Sequence, residues 1–307
     1  MKGHFLSSDN PCVIRPAASY RAPSSHYENF PVASWLCPAA LRAPIAAIYW
    51  FARTADDIAD EGTAPATRRL EELSRYRADL EAAHRAAPHS GRWPEVFDPL
   101  TDMIARFHLP LKQLSDLLDA FEQDIVFTAE GRRYRSDREL HDYCRHSANP
   151  VGRLLLHLYG IADPPALLQS DQVCTALQLI NFWQDMTIDV ARARWYVSVE
   201  QMQRHGVSDA DLQPDSRSPA AARMLAAYAQ DAWTLMLRGA SLADRIPGRA
   251  GWELRLVVQG GLRILEKIAA MHFASWRERP RLTQRDAPLL LWRAWRGDYW
   301  RPMALPA

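Results

Sequence analysis

Gln178-Leu179-Ile180-Asn181-Phe182-Trp183-Gln184-Asp185-Met186-Thr187-Ile188-Asp189 threads a stripe of polar side chains through a largely apolar segment. Gln178, Asn181, Asp185 and Asp189 fall at offsets of 0, 3, 7 and 11, so a helix lines them up on one face. Leu177, Leu179, Ile180, Phe182, Trp183, Met186 and Ile188 cover the rest of its surface. Such a helix is buried, and its polar stripe must face something polar inside the protein. An isolated carboxylate in an apolar interior costs many kcal/mol, so these acids must pair, neutralise or bind a cation.

A second acidic stretch lies upstream: Ala46-Ala47-Ile48-Tyr49-Trp50-Phe51-Ala52-Arg53-Thr54-Ala55-Asp56-Asp57-Ile58-Ala59-Asp60-Glu61. Asp56 and Asp60 are four residues apart and share a face; Arg53 lies one turn before Asp56, and Tyr49 one turn before Arg53. Acids converging from two helices would repel one another, and a divalent cation resolves that. Hard oxygen donors select Mg2+ over zinc, and Mg2+ prefers a few carboxylates together with substrate phosphates. Metal bridging makes a diphosphate a good leaving group, and Arg53 suits a bidentate phosphate contact. Blander readings exist. An acid pair at this spacing also occurs on solvated helix faces, and the first motif ends close to Gly62. A di-iron carboxylate bundle would need two Glu-x-x-His elements, and only Glu81-Ala82-Ala83-His84 is present, in a polar stretch.

The remainder of the chain fits an all-α protein. From Pro31 onward the hydrophobic pattern is helical, with no convincing strand period. Helices are expected near 31–59, 66–87, 96–107, 111–128, 137–148, 150–160, 165–191, 218–245, 250–279 and 284–295, separated by breakers such as Gly62-Thr63-Ala64-Pro65 and Ile246-Pro247-Gly248. Residues 1–25 read as a mobile arm, 26–280 as one helical domain around an apolar cavity, and 281–307 as a Trp- and Arg-rich tail packed on the bundle. Gly260-Gly261 sits inside a helical pattern with no strand before it, which suits close helix packing and not a dinucleotide loop. The 307 residues are 48% hydrophobic and 24% charged, with a net charge of +1, which leaves no electrostatic footprint for nucleic acid. The four cysteines (Cys12, Cys37, Cys144 and Cys174) have no CxxC spacing, which favours a reducing, cytoplasmic setting over a zinc site or a disulfide framework. No secretory leader and no membrane-spanning run is visible.

These motifs resemble those of the squalene/phytoene synthase family. Asp56-Asp57-Ile58-Ala59-Asp60 is similar to its first aspartate-rich motif, and Asn181 to Asp189 is similar to the second. Tyr143-Cys144-Arg145-His146-Ser147-Ala148-Asn149-Pro150-Val151-Gly152-Arg153 is similar to the segment between them. The resemblance spans about 26–280. His26-Tyr27-Glu28-Asn29-Phe30-Pro31-Val32-Ala33-Ser34 and the Asn-Phe-Trp-Gln-Asp run point, within the family, to the bacterial hopanoid branch that turns presqualene diphosphate into hydroxysqualene.

The resemblance implies that Asp56, Asp60, Asp185 and Asp189 hold Mg2+, with Asp57 in support, and that Arg53 contacts diphosphate. It implies that Gln178 and Asn181 line the site, that Tyr49 and Tyr143 border the cavity, and that His26, Asn29, Arg194 and Tyr196 contact substrate. Presqualene diphosphate is then the substrate, with neighbouring enzymes of squalene synthesis as partners. Two departures stand out. Condensing members carry Lys-Ser where this chain has Glu28-Asn29, which weakens the case for a second diphosphate. The family's Gly-Arg-x-Tyr-x-Pro is Ala193-Arg194-Trp195-Tyr196-Val197-Ser198 here, which predicts a different helix exit. A condensing synthase and a non-catalytic relative are the rival readings. The tail from Leu289 through Trp292, Trp295 and Trp300 to Arg301 suits either peripheral contact with a membrane surface or a cap on the bundle.

Overall fold

The computed structural model describes residues 37–297, all of whose regular elements are helical. Calls on the arm at 1–25, on His26 and Asn29, and on Trp300 and Arg301 lie outside the described residues. Helix α1 (Ala39–Asp60) starts later than the expected 31 and contains Pro44, which sits on its buried side. It packs against α2 (Ala66–His84), α3 (Pro94–Phe107) and α4 (Leu111–Glu130). Phe51, Tyr76 and Phe97 are fully buried at that junction, with ring centroids 4.8–6.3 Å apart. The Tyr76 hydroxyl donates to the Phe51 carbonyl at 3.0 Å, so the polar end of the ring is satisfied while its body packs. Truncating one of these rings to alanine would cost about 3–5 kcal/mol. Glu81 and His84 are exposed on α2, which removes the di-iron reading from the interior.

Helices α5 (Asp137–Ser147) and α6 (Asn149–Leu158) lead into α7 (Pro164–Gln184), the buried helix at the centre. The short α8 (Met186–Ala191) and α9 (Val199–His205) follow, then α10 (Pro219–Gly239) and α11 (Gly248–Ala270). The chain ends its described part in α12 (Ala287–Arg296), packed on α11. Helix α7 has its most extensive contact with α10 and also touches α5, α6 and α11. Close approach to it depends on glycine. A Cβ at Gly152 of α6 would collide with Ser170 and come within 2.5 Å of Cys174 Sγ, and one at Gly261 of α11 would meet Leu177 and Ile180 at 3.2 and 3.3 Å. Gly261 thus permits the close packing expected of the glycine pair.

Three expected helices differ. The 165–191 segment breaks at Asp185, beside the point where the Ser275 hydroxyl donates to the Trp183 carbonyl. The 218–245 segment closes as a 3-10 turn at Ala240–Asp244. The 250–279 segment stops at Ala270: His272 and Phe273 take positive φ, and Phe273 and Trp276 bury themselves at 2% and 1% exposure. That burial outweighs helical continuation and folds the next residues back over the end of α7. Helix α9 was missed because it is short and polar, although Ser198 caps its start and Gly206 (φ 65°) ends it.

Candidate active site

The end of α1 and the α7–α8 junction face one cavity of about 540 Å³. Asp56 and Asp60 line it from α1; Gln178, Asn181, Asp185 and Asp189 line it from α7, the break and α8. The break at Asp185 leaves the polar stripe intact, because the Asp189 N–H still donates to the Asp185 carbonyl at 3.0 Å. Tyr49, Arg53 and Tyr196 line the same space, so most of the expected site residues meet here. Asp57, Tyr143 and Arg194 are not on its wall. Asp57 lies 2.6 Å from Arg53. Tyr143 stands behind the wall and donates to Asp124 at 2.5 Å.

Each acidic wall has a cation. Arg194 grips Asp60 in a bidentate pair, one arm at 2.7 Å. Arg279 grips Asp185 with its Nε and Nη2, the latter at 3.1 Å. Burial, reinforced by the charge of Asp185, lifts the Asp189 carboxyl to about 7 in spite of Arg194 and Arg192. Among the described residues no three metal-ligating side chains close into one ion-sized cluster. The four cavity acids stand instead as two pairs on separate elements. That donor set fits Mg2+, which takes one or two carboxylates and completes its shell with water and phosphate oxygens.

Away from the acids the cavity is apolar and aromatic, with Ile45, Ile48, Phe121, Val151, Leu155, Leu177 and Phe182 on its walls. Tyr196 stacks on Phe182 with centroids 3.8 Å apart and planes 7° from parallel. A smaller recess of about 90 Å³ shares Ile45, Leu155, Cys174 and Leu177 with the main cavity and extends the apolar end toward Leu242, Leu254 and Val257. A ligand fitting this shape has an anionic head and a long hydrocarbon body.

The loop carrying Arg194 and Tyr196 is fixed by a buried network. Ser198 Oγ donates to Asp137 at 2.7 Å and Tyr228 Oη donates to the same carboxylate at 3.0 Å. The Ser198 N–H donates to Tyr228 Oη at 3.0 Å, a bond that proline at this position could not make. Ala193 turns the chain with φ 57°, a conformation that ordinarily favours glycine. The altered helix exit therefore keeps its left-handed turn and gains an anchor.

Two residues escaped the sequence reading. Asp124 on α4 accepts from Tyr143 and, at 3.5 Å, from Tyr196; burial lifts its carboxyl to about 7 against the hydrogen bond from Tyr143 and the charge of Arg194. The available signal was weak: an acid, Asp124, followed directly by the apolar Ile125-Val126-Phe127. Arg279 had none, since it reaches Asp185 only through the fold-back after α11.

A family model described as squalene/phytoene synthase matches residues 24–289. The hydroxysqualene synthase of Sinorhizobium fredii (strain NBRC 101917 / NGR234) is 32% identical over 255 residues, covering 82% of each chain. The phytoene synthase of Mycobacterium tuberculosis (strain ATCC 25618 / H37Rv) is 30% identical over 223 residues, covering 71% of this chain and 70% of its own. Among solved structures, squalene synthase HpnC from Alicyclobacillus acidocaldarius is similar with a TM-score of 0.72 and 32% identity, covering 81% of this chain and 90% of that one.

Proposed function

We propose, from the premise that this chain belongs to the squalene/phytoene synthase family, that it ionises presqualene diphosphate and lets water capture the rearranged cation, releasing hydroxysqualene and diphosphate. The observation that carries this reading is the cavity itself, with four carboxylates, Arg53 and Arg279 at one end and aromatic and aliphatic walls at the other. The similarity to hydroxysqualene synthase across most of both chains supports the choice of reaction.

Asp56, Asp60, Asp185 and Asp189 would hold Mg2+, with Asp57 supporting through Arg53. The metal would supply neutralisation of the leaving diphosphate. Arg53, on the cavity wall, is placed to take phosphate oxygens, and Gln178 and Asn181 offer amides beside the second acid pair. The aromatic side chains of Tyr49, Phe121, Phe182 and Tyr196 border the space in which a cyclopropylcarbinyl cation forms and rearranges, and aromatic rings stabilise cations. Tyr143 and Arg194 act from behind the wall, through Asp124 and Asp60. The apolar and aromatic walls away from the acids would limit the water that meets the cation.

The purified protein is incubated with Mg2+ and presqualene diphosphate, without NADPH, and the extracted lipid is weighed by mass spectrometry. Hydroxysqualene is the expected product. The similarity to phytoene synthase keeps a condensing reaction as the second reading. A new C30 or C40 diphosphate or hydrocarbon made from shorter prenyl diphosphates, with nothing from presqualene diphosphate, would replace the first reading with it. No product from any of these substrates would favour a non-catalytic relative.

A further inference from the structure

Helix α12 has one side fixed to the bundle and one side with nothing described against it. Asp286, 4% exposed at its start, pairs with Arg263 and Lys267 of α11, each at 2.8 Å, and Arg293 pairs with Glu266 at 2.6 Å. Ala294 is fully buried on the inner side. These contacts set the rotation of the helix and aim Pro288, Leu291, Trp292 and Trp295 outward along one face. Leu291 is 46%, Trp292 42% and Trp295 75% exposed, and the rest of the described surface exposes only Leu168 and Ile188 among its large apolar side chains. The apolar stripe is therefore concentrated and held in place.

The charges around it are mostly of one sign. Arg277, Arg281, Arg285 and Arg296 are exposed on the helix and the segment before it, against the single exposed acid Glu278. The Arg296 guanidinium lies 4.9 Å from the Trp292 ring centroid, beside the stripe. A second copy of the chain suits this face poorly. Three side chains at these exposures offer on the order of 300–400 Å², about half of the roughly 800 Å² per partner that a stable protein interface buries. Leucine and tryptophan on one side with arginine at the edges are what a helix lying in the headgroup region of a bilayer requires.

We propose that α12 docks the protein on an anionic phospholipid surface, with Leu291, Trp292 and Trp295 in the headgroup–acyl boundary and Arg281, Arg285 and Arg296 on lipid phosphates. The helix stays on the surface, since no described helix is long and apolar enough to cross a membrane. The inference stands on this face alone and does not depend on which prenyl reaction the cavity performs.

The test is sedimentation of the full chain with vesicles of equal parts phosphatidylglycerol and phosphatidylcholine, with phosphatidylcholine vesicles alone as the comparison. The wild-type protein pellets with the anionic vesicles, less so as salt rises, and its tryptophan emission shifts to the blue on binding. Trp292→Glu with Trp295→Glu lowers the partition at least tenfold; Trp295→Glu alone, at the most exposed position, does so in the same direction without touching the core. Arg285→Glu with Arg296→Glu weakens binding to anionic vesicles and leaves the phosphatidylcholine value unchanged. Wild-type protein that stays in the supernatant with both vesicles, or tryptophan variants that bind as well as wild type, would overturn the proposal. So would a wild-type dimer that the tryptophan variants make monomeric while vesicle binding is unchanged, because a second copy would then cover the face.

Discussion

The two acidic walls of the cavity use the same side chain and balance its charge from different distances. On α1, Arg53 sits one turn from Asp56 and Asp57, within the same helix. On the α7–α8 wall the cation on Asp185 arrives from Arg279, 94 residues away, and Asp189 is buried deeply enough that its carboxyl rises to about 7. The first wall adds a distant cation to this local one, since Arg194 pairs with Asp60 across 134 residues, and its Asp56 side chain is 40% exposed. The second takes its cation on Asp185 from tertiary packing alone. A cation taken up at the second wall would therefore displace a proton from Asp189 and would meet an Asp185 positioned by the fold-back after α11.

The strongest way to break this comparison is to neutralise one acid on each wall. Asp56→Asn and Asp185→Asn should each cut product formation by on the order of 10²–10³-fold, with the far-UV circular dichroism unchanged. A variant that kept most of its turnover would remove its wall from the chemistry. Next in size is Asp124→Asn, which removes the titratable carboxyl that accepts from Tyr143 and Tyr196 behind the cavity wall. It should lower kcat by about 10- to 100-fold, as loss of a supporting partner does, with KM nearly unchanged and an altered pH–rate profile; a loss confined to KM would make its role one of substrate binding.

The pH dependence sharpens the contrast further. Asp124 and Asp189 hold their protons to about 7 in the folded chain, whereas the unfolded chain releases them near the ordinary 3.8. The folded state thus binds more protons between those values, so the metal-free protein should lose stability as pH rises from about 4 to about 7 and then level off. Added Mg2+ should raise Tm more at pH 8 than at pH 6, because a cation competes with the proton on Asp189. Asp189→Asn should flatten both trends in thermal melts. The smallest expected effect is Ala193→Gly, which relieves a left-handed alanine in the loop behind the first wall and should stabilise by up to about 1 kcal/mol, read as a rise in Tm of a few degrees at most.

Much of this was visible before any coordinates, and the boundary has a physical basis. The stripe from Gln178 to Asp189 and the Asp56–Asp60 pair are periodic, and period is a local property that survives even the break at Asp185. The all-α architecture follows from the same signal, and the motifs' resemblance named the family that residues 24–289 match. Arg279 and Asp124 act at long range. A straight continuation of α11 would have carried Arg279 away from Asp185; burial of Phe273 and Trp276 reversed the chain instead. Arg194 was expected at substrate and is instead held by Asp60, a pairing across 134 residues that no spacing rule reaches.

The close seat of α6 on α7 at Gly152 has a consequence for how this protein could diverge. Cys174, the side chain a methyl at Gly152 would strike, is also one of the four residues common to the main cavity and its apolar recess. A methyl at position 152 would therefore press on a side chain that both spaces share. Drift at this one codon would reshape the apolar end of the cavity from a position far from any of its acids.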